Sequence, residues 1–414
     1  MYGTLAPTAK RVEDYVPLVG RDLIDGLKRL AKPFKGLRVL NLSVTAFGTG
    51  VAELLRSSVP LLSDLGLDCQ WQVVHVDEES ARVNKQMYRA LAGGRADWDE
   101  RMVRTWQHYT AMNADLLRDH FDVVVIHDLQ PAALRTHIEK GRHQRSRWIM
   151  YSHIDLSSAQ DDVWSLVRRH IQDYDALVFE DETFLGVGIE GVPVSIIPPA
   201  IDPSGPRNMP LSQNAIAGVL DQYGINRRRP LVAQVAPCSK DCDALGAIEA
   251  FRLAQEQVPS LQLVLMVTSL PEDPFELTYF ETVAAEAARH SEDIHFLSNP
   301  GDVGNVEVNV VQRAAKVVMQ RALRKGFGIW LSDALWKEKP VVAAPMGGIP
   351  KQVIHGKTGY LASTTEEFAG HIVNLMGNSE TAQELGAAGH QHVTDNFIVC
   401  RYLRDYLHLL EGIA

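Results

Sequence analysis

Residues 325–328, Lys-Gly-Phe-Gly, run into the apolar stretch Ile329-Trp330-Leu331-Ser332-Asp333-Ala334, a pattern that predicts a glycine turn opening a helix. Glycines on both sides of Phe327 let backbone N–H groups approach an anion, and a helix N-terminus favours negative charge. Gly326, Phe327 and Gly328 are therefore expected to bind a diphosphate through the backbone. A second glycine loop, Thr45 to Glu53, carries Gly48, Thr49, Gly50 and Glu53 and has the composition of a phosphate or sugar cradle. The same glycines also suit the strand-to-helix turn of any doubly wound domain. His127 and His153 each follow a strand-like run, where an imidazole can hydrogen-bond a hydroxyl or move a proton, or simply satisfy a structural contact. Asp128 and Asp155, close behind them, can orient hydroxyls or cap the next turn.

These residues need parallel strands to hold them. Leu37–Leu42, Asp122–Ile126, Trp148–Tyr151 and Ala176–Phe179 read as buried strands of one sheet. Pro230–Val235, Leu261–Met266, Val317–Met319 and Pro340–Ala343 read as strands of another, separated by helical stretches such as Ala244–Glu256. The class is α/β. The proline-rich passage Ile196–Pro203 can continue neither helix nor ladder and reads as a linker. The expected domains are 1–200, 204–385, and a helical segment 386–414 that returns to the first. In open parallel sheets ligands sit outside the carboxyl ends of the strands, so the loops that follow the strands are the ones to inspect.

Composition narrows the partners. The chain has 414 residues, enough for two cores, and a formal net charge of −10 that repels nucleic acid and anionic membranes. The start lacks an apolar core of signal-peptide length and no run reaches the length of a membrane span, so a cytoplasmic protein is expected. Cys238 and Cys242 are spaced as neither a zinc finger nor a thioredoxin motif, and no metal is expected.

The stretch from Arg324 to Asp333 resembles the donor-site signature of retaining glycosyltransferases with the GT-B fold, the family-4 class, in which Glu-Gly-Phe-Gly is followed by a second Glu. Here Lys325 takes the first position and Asp333 the second. Five further segments (45–53, 127–131, 153–157, 197–202 and 304–309) resemble, in the same order over nearly the whole chain, those of the trehalose glycosyltransferring synthases. The resemblance implies two Rossmann-like domains facing a central cleft, no cofactor, a nucleotide-sugar donor, and a sugar or polyol acceptor. A homodimer is a compatible assembly. It further implies that His153 touches the transferred sugar; with Asp155, read from its chemistry, and Lys325, a departure from the class, it makes up the expected catalytic set. Lys240, Arg324, Gly326, Phe327, Gly328 and Asp333 would serve the donor, with Asp333 on ribose. Gly48, Thr49, Gly50, Glu53, His127 and Asp128 would serve the acceptor.

Where the class places an Arg, and a Lys five residues later, this chain has Pro237 and Cys242 on an alignment anchored by Gln234-Val235 and Leu245-Gly246. One lost donor to developing charge costs about 2.7–4 kcal/mol, which makes Lys240, Arg324 and Lys325 the candidate replacements. Lys325 also reverses the polarity of a sugar-reading contact, since an ammonium donates and cannot accept. Three readings follow: a transferase of altered donor preference, an impaired paralogue that binds sugar or nucleotide, or an enzyme acting on a sugar phosphate.

Overall fold

A computed structural model describes residues 3–47, 49–138, 145–268, 274–298, 303–324 and 326–413; Gly48 and Lys325 lie outside the described residues. The chain divides into two compact units, residues 1–200 with the segment from Val399, and residues 201–398.

In the first unit the strands are β1 (Gly3–Leu5), β2 (Arg38–Ser43), β3 (Asp68–Val73), β4 (Val123–His127), β5 (Arg147–Ser152), β6 (Ala176–Phe179) and β7 (Val194–Ile196). They form one sheet in the order β1-β3-β2-β4-β5-β6-β7, parallel throughout except for the edge strand β1. The apolar runs of β4 and β6 are buried along their full length, as strands covered on both faces must be. The strand order reverses between β2 and β4, which makes the carboxyl ends of these two strands the switch point at which such sheets take ligands.

In the second unit the strands are β8 (Leu231–Ala236), β9 (Gln262–Val267), β10 (Ile294–Leu297), β11 (Val317–Gln320), β12 (Val341–Ala343) and β13 (Tyr360–Leu361). Their order, β10-β9-β8-β11-β12-β13, is that of a dinucleotide-binding Rossmann sheet, and its switch point lies between β8 and β11. Ile248, Phe251 and Ala254 of the helix Ala244–Gln257 pack with Phe368 and Ile372 of the helix Thr365–Gly377 in its core.

The helical pattern expected near the C-terminus resolves into Ser379–Asn396 and Val399–Ile413, and the second of these belongs to the first unit. Arg401 holds it there. This guanidinium, 6% exposed in its side chain, donates to the carbonyls of Pro198 (2.7 Å) and Pro199 (3.0 Å) and pairs with Asp405. Charged hydrogen bonds of this kind contribute about 1.5–3 kcal/mol each. Arg401→Met is expected to lower unfolding free energy by about 2–4 kcal/mol in urea titration, because both carbonyls lose their partner at once.

Candidate functional site

The two switch points collect most of the residues singled out in the sequence. At the second unit's, the loop after β8 runs through Pro237 and Lys240 to Asp243, which caps the helix Ala244–Gln257 by accepting from the Gly246 N–H at 3.1 Å. The loop after β11 begins with Arg321, whose Nε and Nη2 both donate to Asp243 Oδ2 at 2.9 and 2.7 Å. Arg321 thus clamps the two loops together while lying over the Phe368 ring, 4.8 Å from its centroid. Sequence reasoning missed it, although it directly follows a strand at the edge where ligands bind.

The Gly-Phe-Gly turn differs from expectation in one respect. The helix opens at Trp330, beyond Gly328, and is seven residues long, because Gly328 at φ +70° breaks the helical path. The three residues therefore offer turn amides rather than the amides of a helix N-terminus. Their carbonyls are held: Gly326 O accepts from Gly348 N–H at 3.0 Å, Phe327 O from Gln352 Nε2, and Gly328 O from Leu331 N–H at 3.0 Å. Their N–H groups donate to no described residue. In a planar trans peptide the N–H points opposite its carbonyl, so anchoring the carbonyls turns the following amides outward. Gly347 and Gly348 make room for the anchor. A Cβ on Gly347 would stand 2.4 Å from Gly326 O, and one on Gly348 2.5 Å from the Phe327 ring.

Of the three candidate replacement cations, Arg324 pairs with Asp241 at 3.3 Å, Lys240 is exposed and its ammonium has no hydrogen bond or ion pair to a described residue, and Lys325 lies outside the described residues. Cys242 cannot replace a lysine's charge, since burial pushes its thiol up to about 11 and keeps it neutral. Asp333, expected to hold ribose, is 2% exposed. It accepts from Asn208 Nδ2 at 2.7 Å and lies 3.5 Å from Arg207, so its carboxylate is directed into the protein in this arrangement.

At the first unit's switch point four side chains form one hydrogen-bonded line. Asn41 Oδ1 meets His127 Nε2 at 3.1 Å, His127 Nδ1 meets His153 Nε2 at 3.1 Å, and His153 Nδ1 meets Glu180 Oε1 at 2.7 Å. Asn41 Nδ2 is turned to the Gln70 carbonyl, which leaves Oδ1 as an acceptor toward His127. His127 must then carry its proton on Nε2, and burial, with the charge of His153 beside it, holds this ring far below the usual imidazole range. Its Nδ1 accepts, so His153 Nε2 donates. A proton must also lie between His153 Nδ1 and Glu180, because a bare lone pair facing a carboxylate at this distance would repel it. The pair therefore holds one proton beyond a neutral imidazole and a carboxylate. Burial opposes charge on His153, but the Glu180 hydrogen bond and the charges of Asp128 and Glu180 outweigh it and raise this imidazole above its ordinary value. Tyr151 stacks on the ring at 4.4 Å and is fixed by its own hydroxyl, which donates to Ile197 O.

His127 was expected at an acceptor; it is 1% exposed with both ring nitrogens engaged, so it reaches a ligand only through His153. Asp128, in the left-handed region at φ +67°, accepts from the His153 N–H at 3.0 Å, and Asp155 accepts from the Ser157 N–H at 2.9 Å. Both shape the loop after β5. Thr49 caps the helix Gly50–Asp64 by accepting from the Ala52 N–H, with Glu53 in its first turn. Glu180 was overlooked, yet it directly follows the run of β6, the same signal that selected His127 and His153.

Two family models match the chain: the trehalose synthase N-terminal domain over residues 41–186, and glycosyl transferases group 1 over residues 220–392. The trehalose synthase of Rubrobacter xylanophilus is 37% identical over 411 residues, covering 98% of both chains. That of Thermococcus litoralis is 34% identical and covers 97% of both. Among solved structures, the trehalose-6-phosphate synthase OtsA superposes with a TM-score of 0.72 at 13% identity, covering 91% of this chain and 98% of its own, which shows a shared GT-B fold. A further similar structure, from E. coli, is bound with UDP-2-fluoro glucose (TM-score 0.69, 13% identity, 90% of this chain and 98% of its own).

Proposed function

The chain belongs to the trehalose synthase family of glycosyltransferases, and from that premise we propose that it is a retaining enzyme whose donor preference has moved away from its relatives'. The donor is a nucleotide sugar and the acceptor a sugar or polyol. The carrying observation is the Gly-Phe-Gly turn, whose carbonyls are anchored and whose amides donate to no described residue, ready to meet a diphosphate. In the proposed reaction the bond from the sugar's anomeric carbon to the diphosphate breaks and one to the acceptor oxygen forms on the same face. The acceptor's proton ends on the departing diphosphate. The second unit's loops are the proposed place of the diphosphate, and of the first unit's residues His153 is the one proposed to contact a sugar.

With Pro237 and Cys242 unable to supply charge, Lys240 is the cation of the β8 loop that complements the turn. Lys240→Ala is expected to weaken binding of a nucleoside diphosphate by about tenfold or more in isothermal titration, the loss of one charge-assisted bond. Arg324→Ala, already paired with Asp241, should change it much less. Equal effects would remove Lys240 from this role. Absence of nucleoside diphosphate binding by the unaltered chain would favour the second reading, a binder that transfers nothing, for which the neutral Cys242 speaks. Trehalose formation from ordinary nucleoside-diphosphate glucose is expected to be slow, and turnover near 10 per second, about the enzyme median, would refute the altered preference.

A further inference from the structure

The amino ends of the second unit's strands carry a separate cluster of charge. A groove of about 520 Å³ runs past the starts of β8 and β9 and the approaches to β11 and β12, the opposite edge from the Gly-Phe-Gly turn. Arg227, Arg229, Arg313, Lys337 and Lys339 line it, with no carboxylate among the described lining residues, in a chain of net charge −10.

Three of these cations are already engaged. Arg227 pairs with Asp221 at 3.0 Å, Arg229 with Asp293, and the Lys337 ammonium donates to Asn208 Oδ1, Gln312 Oε1 and Asp333 O at 2.7–2.9 Å. Among the described residues Arg313 has only neutral partners: Asn309 Oδ1 through Nε, and the carbonyls of Asn208 and Met209 through Nη2. The ammonium of half-buried Lys339 has no hydrogen bond or ion pair to any described residue, its backbone N–H alone being engaged, with Ala334 O at 3.1 Å. Burial first, then the like charges of Lys316 and Arg313, lower its ammonium to about 8, against a smaller opposing pull from Glu338. A partly desolvated cation next to a second cation is unfavourable unless an anion joins them. Ile216, Leu220 and Ile225 also line the groove, together with Gln213, Asn214 and Asn226, and the volume lies in the range of small-molecule sites.

We propose that this groove is a second ligand site, apart from the transferase loops, that takes an organic phosphate: its phosphoryl group on Lys339 and Arg313, its uncharged part along the lining that Gln213, Asn214, Ile216 and Asn226 supply. Lys339 tests it, since its side chain braces no described residue, whereas Arg313 also holds the 208–209 backbone.

Glucose 6-phosphate and inorganic phosphate are titrated calorimetrically at pH 7 into the full chain and into Lys339→Met and Lys339→Gln, with nucleoside diphosphate affinity measured as the control. Both substitutions are expected to weaken glucose 6-phosphate binding by about tenfold, one charge-assisted bond, and to leave the nucleoside diphosphate affinity unchanged. Equal glucose 6-phosphate affinity in the three proteins would overturn the proposal. So would a thermal stabilisation by phosphate that chloride matches at equal ionic strength, since screening alone would explain it. Inorganic phosphate binding as tightly as glucose 6-phosphate would overturn the organic half, the uncharged lining then contributing nothing.

Discussion

Glu180→Leu is expected to destabilise the first unit by about 3–5 kcal/mol near pH 6, the cost of leaving a buried charge without its partner. Both side chains of the His153–Glu180 pair are 8% exposed, so little water is available to replace the lost carboxylate. The pH dependence has a definite sign. His153 titrates above its ordinary value in the folded protein, so its contribution is fully present below the unfolded imidazole's pKa, about 6.5, and is lost as pH rises through the raised folded value. The gap between the parent protein and Glu180→Leu should therefore be widest near pH 6 and narrow in more alkaline buffer. Urea unfolding at several pH values measures this, and a gap independent of pH would show that Glu180 acts by packing alone. Glu180→Gln keeps the shape and one hydrogen bond without the charge, and should fall between the two. In a transferase assay the same series should lower the pH at which activity declines on the alkaline side, if the proton of the His153–Glu180 pair serves the sugar contact.

Gly347→Ala should abolish nucleoside diphosphate binding and cost about 2–4 kcal/mol of stability, combining a left-handed backbone that alanine resists with overpacking. The backbone there has φ +53°, and the new Cβ would meet both Gly326 O at 2.4 Å and Gly326 N at 2.6 Å. Those are backbone atoms of the very turn whose amides are proposed to hold the diphosphate, so the turn itself must move. Gly356→Ala is the matched control: φ is +72°, but nothing lies within 4 Å of the added carbon. It should cost only the conformational part, about 1–2 kcal/mol, and leave ligand affinity alone. Calorimetric titration with a nucleoside diphosphate, alongside urea unfolding, separates the two. Unchanged affinity in Gly347→Ala would remove the turn from the donor site.

The amino-acid sequence by itself determined the α/β class, the principal strands and the loops to inspect. Those features are local: an apolar run of strand length and a glycine where the chain must turn leave their mark within a few residues. It was less informative for β3 and β10, whose segments Asp68–Val73 and Ile294–Leu297 mix polar and apolar residues. The Gly-Phe-Gly turn was legible, yet the helix beyond it begins later than the pattern suggests, because the left-handed Gly328 resets the backbone. What only the tertiary structure decided is which group faces which. His153 meets Glu180 across 27 residues of chain, His127 meets Asn41 across 86, and Asp333 meets Asn208 across 125. Whether a histidine carries charge, or a carboxylate is open to a ligand, depends on these distant partners and on the burial they share. Neither is written in the spacing of neighbouring residues.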